Sequence, residues 1–399
     1  LNIWNDYDLA LDDFYIYAMR LSRNGIRSFL FVLFYWMVSI QALSIAAVYS
    51  IRSFVGQANI DVEALGNPVL VYWMSSKQFV ESFIFAVLFS ILFVLVNELS
   101  RRKKWDRFSF SKVILLKTGV YILGAFLILL SISGVIFSFG FLSYDEFLGY
   151  DPSIDEFILL AIIPPYLIFL VVLLNFIMQT ARKIGNQNLY HFLTGRYHTP
   201  VLEERIFLFL DMKSSTTFAE QLGSQKYSRL IKDCFDDMNY LLNEFDAEIY
   251  QYVGDEMVLT WQMARGLKEA RFLRIFFAFQ KALEERKQYY LSEYGSMPVF
   301  KAGAHGGELS VSEVGNIRRD IAYYGDVINT ASRIQSICNQ FNEHFLISGE
   351  LLEKVRVPGY IELAPIGKVE LRGKEHLEEI YAARSTSINS LLSSDKKYL

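Results

Sequence analysis

Four long apolar runs, all before residue 180, constrain this chain more than any other feature of it. The first, Phe29–Ile51, carries no charge, and the second, about Phe79–Val96, has Glu81 near one end. Thr118–Leu142 and Phe157–Met178 are both uncharged, and the last contains the pair Pro164-Pro165. A helix needs roughly 20 apolar residues to cross the hydrocarbon core of a bilayer, and each run reaches that length. A soluble protein would have to bury four such runs within 180 residues, so they read as four transmembrane helices. The 52% hydrophobic content is therefore not spread evenly: no run of that length follows residue 180.

Flanking charges give an orientation. Segment 100–112 carries Arg101, Arg102, Lys103, Lys104, Arg107 and Lys112, whereas 52–78 has only Arg52 and Lys77. Segment 143–156 has five acids and no Lys or Arg. The positive-inside rule then places the 100–112 loop, the N-terminus and everything after residue 179 in the cytoplasm of a multi-pass cell-membrane protein. Lys117 is expected near the inner end of the third span, snorkelling outward. Asp6, Asp8, Asp12 and Asp13 make the first 27 residues unlike a secretory signal. Cys234 and Cys338 both fall on the cytoplasmic side, where no disulfide is expected. A net charge of −4 gives no support for nucleic-acid binding. The five histidines, at 191, 198, 305, 344 and 376, lie outside the spans, which excludes haem ligation within the membrane.

Beyond residue 180 the pattern changes to alternating elements. Residues 204–212, "ERIFLFLDM", read as a buried strand, and 213–246 as a helix with a break near Gly223. Strands are expected at 247–253 and 256–262, joined across Gly254-Asp255, followed by one long helix over about 264–293. Residues 297–315 read as a strand pair around Gly306-Gly307, 326–341 as a helix, and short strands run to about Ala383. This mix predicts an α+β domain, a mainly antiparallel sheet covered by helices, behind the all-α four-helix transmembrane domain. The segments are then 1–28 as a cytoplasmic N-terminal stretch, 29–178 as the membrane domain and 179–202 as a helical connector. Residues 203–384 form the α+β domain and 385–399 a polar flexible tail. In the connector, Leu189, Phe192 and Leu193 have the spacing of a helix that could pair with its twin, ended by Gly195.

Chemistry gathers at two acids. Asp211 closes a strand before "KSSTT" opens a helix, and Asp255 sits in the turn between two strands. If those strands are neighbours, the acids meet at one sheet edge, where a pair of aspartates suits Mg²⁺, a hard ion that leaves room for substrate phosphates. The backbone N–H groups of Lys213–Thr217 would face phosphate oxygens at the start of that helix. Asn329 and Arg333, in "INTASRI", lie four apart on one helix face. An amide and a guanidinium so placed can orient a ribose and neutralise a phosphorane; a solvated helix face is the alternative.

From about residue 203 to 383 the chain resembles the class III adenylyl/guanylyl cyclase catalytic domain. The likeness runs in order through Asp211, "YVGDEMVLTW", "AYYGDVINTASRIQ" and "LRGK" at 371–374. It implies that Asp211 and Asp255, with the carbonyl of Met212, hold two Mg²⁺ ions, for which Mn²⁺ can substitute. It implies that Asn329 and Arg333 come from the other subunit of a homodimer, and that Lys374 contacts the triphosphate of a nucleoside triphosphate substrate. Glu256 is expected to be solvated or to sit behind the metal ligands. Relatives often carry Gly-Phe after the first metal Asp, where this chain has Ser214, Ser215, Thr216 and Thr217. The usual purine-reading Lys and its partner are here Gln251 and Ala322, with Asp320 on the same strand face as Ala322. Gln can pair with adenine, and a rotated amide serves guanine, so family frequency alone favours ATP. A diguanylate cyclase would leave "INTASRI" unexplained. A catalytically silent module would be expected to lack one of Asp211, Asp255, Asn329 or Arg333. The spans hold almost no charge to mark a transport pathway. A plain anchor and an active membrane sensor for an unidentified ligand or partner stay open.

Overall fold

The computed structural model describes residues 23–58, 77–102, 108–138, 154–184, 191, 194–317, 319–374 and 376–385. The flexible tail beyond 385, most of the N-terminal stretch and the helical pairing expected at 189–193 lie outside the described residues. The chain divides into two units, Leu1–Leu189 and Tyr190–Leu399, each taken by itself.

In the first unit the apolar runs form four helices: α1 (Arg23–Ala58), α2 (Lys77–Arg102), α3 (Phe110–Ser138) and α4 (Ile154–Ile184). All four are long and apolar enough to cross a membrane. Sequence neighbours pack on one another, around Trp36, Phe89, Phe93, Tyr121 and Leu174. The Trp36 ring stacks on Tyr121 at 5.7 Å. Outward faces are apolar: Phe34 is 66% exposed and Leu115 70%. Polar groups instead meet inside, as Ser44 with Ser82 at 2.8 Å and Asn175 with Thr118 at 3.4 Å. Apolar outside and polar within is the inverse of a water-soluble bundle.

Lys117 departs from its expected role. It is 2% exposed and donates to Asn97 Oδ1 at 2.8 Å instead of reaching outward. The reason is local. Helix α3 starts at Phe110, eight residues before the uncharged run, so Lys117 already lies two turns inside it and faces α2.

The second unit is built on β1 (Val201–Met212), whose alternation supplies both faces of a sheet. Ile206, Leu208, Leu210 and Met212 enter one core, and Phe207 and Phe209 the other. Next in the chain come α5 (Ser215–Leu242), β2 (Glu248–Val253), β3 (Glu256–Gln262), α6 (Met263–Leu267), α7 (Arg271–Glu285) and α8 (Lys287–Tyr294). The remainder comprises β4 (Phe300–Val314), β5 (Asp320–Tyr324), α9 (Asp326–Ser336), β6 (Phe345–Ser348), α10 (Gly349–Leu352), β7 (Ile361–Val369) and β8 (Glu378–Ser385). The strand order is β2-β3-β1-β4-β6-β8-β7, with β5 paired to the second half of β4. Every pairing is antiparallel except β4 with β6. Helices α5 and α7 cover the first face, where Phe272, Phe276 and Phe279 are fully enclosed. Helix α9 covers the second through Val327 and Ala331.

Helix α5 breaks at Gly223, as its sequence suggests, with φ 71° and ψ 162°. Two other expectations fail. The long helix over 264–293 is three pieces, interrupted by left-handed Glu269 and Ala270 and again at Arg286. Arg286 is held there by the buried Asp237 and lies over the Tyr289 ring at 4.4 Å, a tertiary anchor that helical periodicity does not encode. The strand pair around Gly306-Gly307 is one continuous strand, β4. Neither glycine makes a turn. A Cβ on Gly306 would stand 3.0 Å from Leu351, and one on Gly307 3.0 Å from Val327, so both are there for close packing.

Candidate active site

Antiparallel pairing of β1 with β3 puts Leu210 opposite Met257, so the end of β1 meets the β2–β3 turn. Gly254 makes that turn at φ 62°, which favours glycine, and delivers Asp255 beside Asp211. Burial pushes the Asp211 carboxyl above its ordinary value, with the Asp255 charge adding to that and Lys301 opposing it. Glu256 is half-buried and raised too, by burial first and then by both aspartates, so it lies within reach of the pair's charge. Asp255 Oδ2 is buried with no hydrogen-bond partner. A buried carboxylate oxygen without a donor is costly. Among the described residues no cluster of three His, Cys, Asp or Glu forms. Two carboxylates, one with a buried unpartnered oxygen, fit a hard divalent ion that completes its shell with phosphate and water oxygens.

The same sheet edge collects the predicted phosphate loop. Met212 is buried at the end of β1, and Ser214 caps α5 in a left-handed conformation at φ 60°. Ser215, Thr216 and Thr217 open the helix. The Tyr227 phenol shares this corner: burial raises its pKa, followed by the charge of Asp255, while Ser215 opposes the shift.

A second group gathers on α9. Asn329 is exposed on that helix and Arg333 half-buried. Arg333 Nη2 would stand 3.4 Å from a Cβ on Gly373, so the guanidinium lies along the 371–374 turn, where Gly373 has φ 74°. Arg333 Nη1 is buried with no hydrogen-bond partner. Lys374 Nζ reaches Asp326 at 2.9 Å and Glu378 at 2.5 Å. Burial alone would lower Lys374, but Glu378 and Asp326 outweigh it and hold its pKa above the usual value. Among the described residues no ion pair joins Arg333 or Lys374 to Asp211 or Asp255. The chain thus carries an anionic corner at Asp211 and Asp255 and a cationic group at Arg333 and Lys374.

The purine-reading positions are only partly brought together. A bulge between Ile249 and Gln251 sets Gln251 opposite Val258, on the face that also holds Tyr250. Tyr250 meets Tyr323 with ring centroids 4.9 Å apart. Buried Arg205, bonded to Glu203 and Glu248, lies over the Tyr323 ring at 5.1 Å and fixes this aromatic wall. Ala322 and Asp320 alternate to the opposite side of β5 from Tyr323.

Two residues at the acid pair were not singled out from the sequence. Lys301 faces Asp211 directly across β1 and β4, with Nζ 3.1 Å from Oδ2. Gln335 Nε2 donates to the same oxygen at 3.1 Å. Each leaves a faint trace: Lys301 is a lone cation in the apolar stretch "VFKAGA", and Gln335 is a polar residue one turn after buried Ala331.

Paired acids at the start of α5, and a guanidinium and an amide on α9, are the features to set beside known proteins. Residues 201–383 match the family model described as the adenylate and guanylate cyclase catalytic domain. The chain is similar to "Adenylate cyclase 2" of Rhizobium meliloti, 32% identical over 199 residues, covering 50% of this chain and 55% of that protein. It is also similar to "Adenylate cyclase" of Anabaena cylindrica, 25% identical over 184 residues, covering 45% of this chain and 36% of that protein. The chain thus spans about half the length, or less, of these curated relatives. A solved structure, the adenylyl cyclase CyaB from P. aeruginosa, aligns at TM-score 0.42 and 18% identity, covering 47% of this chain and 97% of that one.

Proposed function

We propose that this protein is a membrane-bound nucleotide cyclase that converts ATP to 3′,5′-cyclic AMP and pyrophosphate at sites shared between two copies of the chain. One observation carries the reading. Asp255 Oδ2 and Arg333 Nη1 are both buried and both lack a partner within the chain. Each fits a group of opposite charge from outside, a metal ion for the carboxylate and a phosphate for the guanidinium.

Asp211 and Asp255, with the main chain of Met212, would hold two Mg²⁺ ions, or Mn²⁺ in their place. When bound, such ions lower the pKa of the ribose 3′-hydroxyl and neutralise the leaving pyrophosphate. The chain does the rest. Backbone N–H groups and hydroxyls of Ser214, Ser215, Thr216 and Thr217 cradle phosphate oxygens at the start of α5. Asn329 of the partner copy orients the ribose, and its Arg333 meets the charge that develops on the α-phosphate. Lys374 holds the triphosphate, leaving Asp326 as phosphate oxygens arrive. Gln251 reads the purine edge, with Ala322 leaving space beside it. The 3′-oxygen forms the new bond to the α-phosphorus as the bond from that phosphorus to the β-bridging oxygen breaks. The hydroxyl proton passes to solvent.

The apolar outer faces of α1–α4 support a bilayer location, and the charge of segment 100–112 supports a cytoplasmic catalytic domain. The choice of ATP over GTP rests on the names of the relatives, since an amide at Gln251 can serve either purine. The test is turnover by the purified full chain with ATP and with GTP, each with Mg²⁺ or Mn²⁺. Cyclic AMP as main product is expected. Cyclic GMP alone would overturn the substrate, and no product from either nucleotide would overturn the enzyme.

A further inference from the structure

We propose that Gln335 is a positioning residue for Asp211: a neutral, buried donor that keeps the carboxylate oriented for metal when Lys301 is driven away. The inference rests on the metal-dependent reading above. Asp211 Oδ2 accepts from two groups, Lys301 Nζ at 3.1 Å and Gln335 Nε2 at 3.1 Å. They respond differently to an arriving cation. The Lys301 ammonium has the same sign as the ion and a flexible stem, so the two compete for one carboxylate. The Gln335 amide has no net charge and no reason to leave.

Nor is Gln335 free to move. It is 5% exposed, on a helix pressed against β4 at a point where only glycine fits. A Cβ on Gly303 would stand 2.2 Å from the Gln335 main-chain nitrogen and 2.7 Å from the Ala331 carbonyl oxygen. Gln335 also follows Arg333 by two residues, roughly 200° around a helix. The same helix therefore fixes its own chain's Asp211 with one face and presents Arg333 on the other. A donor behind a metal-binding carboxylate limits its rotation before the ion arrives, which is how outer partners of ligands raise metal affinity.

The test uses the full chain in detergent and reads Mn²⁺ binding by electron paramagnetic resonance, without nucleotide. Gln335→Met keeps the length and loses the donor. It should weaken Mn²⁺ binding about tenfold, shift the half-maximal Mn²⁺ concentration for turnover equally, and leave the nucleotide KM unchanged at saturating metal. Lys301→Met removes the competitor and should bind Mn²⁺ at least as tightly as the native chain. That variant keeps the proposal testable should Gln335→Met fail to fold. Unchanged Mn²⁺ affinity in folded Gln335→Met, or weaker affinity in Lys301→Met, would overturn the role of Gln335 alone. Absence of Asp255-dependent Mn²⁺ binding in the native chain would overturn the metal reading together with it.

Discussion

Asp255 shows what a single side chain contributes here. Its buried Oδ2 has no donor, and its charge helps hold Asp211 above the ordinary carboxylate range. Without metal the pair is thus a local liability of the fold, which Asp255→Asn relieves. The variant should unfold at the same or a higher temperature than the native chain in the absence of metal. Added Mn²⁺ at 100 times its dissociation constant should stabilise the native chain by about 2.7 kcal/mol and the variant by far less. Cyclisation should be lost. Thermal scans with and without metal check this, and an equal metal-induced shift in both proteins refutes it. Asp211, Asp255, Asn329 and Arg333 could be proposed from the sequence because each sits in a short motif with local spacing. Lys301 and Gln335 were not, because they reach Asp211 only through strand pairing and helix docking, 90 and 124 residues along the chain.

At the scale of elements, α9 decides the site, and Gly303 decides α9. The helix carries Asn329, Arg333 and Gln335, and lies so close to β4 that any side chain at 303 would meet backbone. Backbone cannot swing aside as a flexible side chain can, so Gly303→Ala has to lift the whole helix. Overpacking of this kind costs about 1–3 kcal/mol, and a 1 Å displacement of a catalytic group costs roughly a hundredfold in rate. We expect a folded protein with a lower Tm and a kcat reduced about a hundredfold, measured by thermal denaturation and steady-state kinetics. Near-native turnover would mean that α9 is not held by this contact. Continuous apolar runs made β1 and β3 readable in advance, since a strand buried on both faces shows no polar alternation. The glycines of β4 misled for a physical reason: Gly306-Gly307 looks the same in sequence whether it makes a turn or lets a helix and a side chain approach.

For the whole molecule the question is whether one chain suffices. The acid pair and the Arg333–Lys374 group each leave a buried polar atom without a partner, and no ion pair links them among the described residues. Two copies related by a twofold axis would make two identical sites, each drawing acids from one chain and the guanidinium from the other. Asp211→Asn spoils the acid half of its own chain, and Arg333→Ala spoils the half it lends. Either variant alone therefore has two broken sites. Co-expression of the two gives mixed dimers in which the acids of the Arg333→Ala chain meet the guanidinium of the Asp211→Asn chain. Random pairing makes half of the dimers mixed, each with one intact site of two, so about a quarter of native activity should return. Differently tagged chains allow mixed dimers to be purified and assayed alone, where activity should approach half of native. If purified mixed dimers are as inactive as either parent, Arg333 serves its own chain, and the site forms by closing one copy on itself.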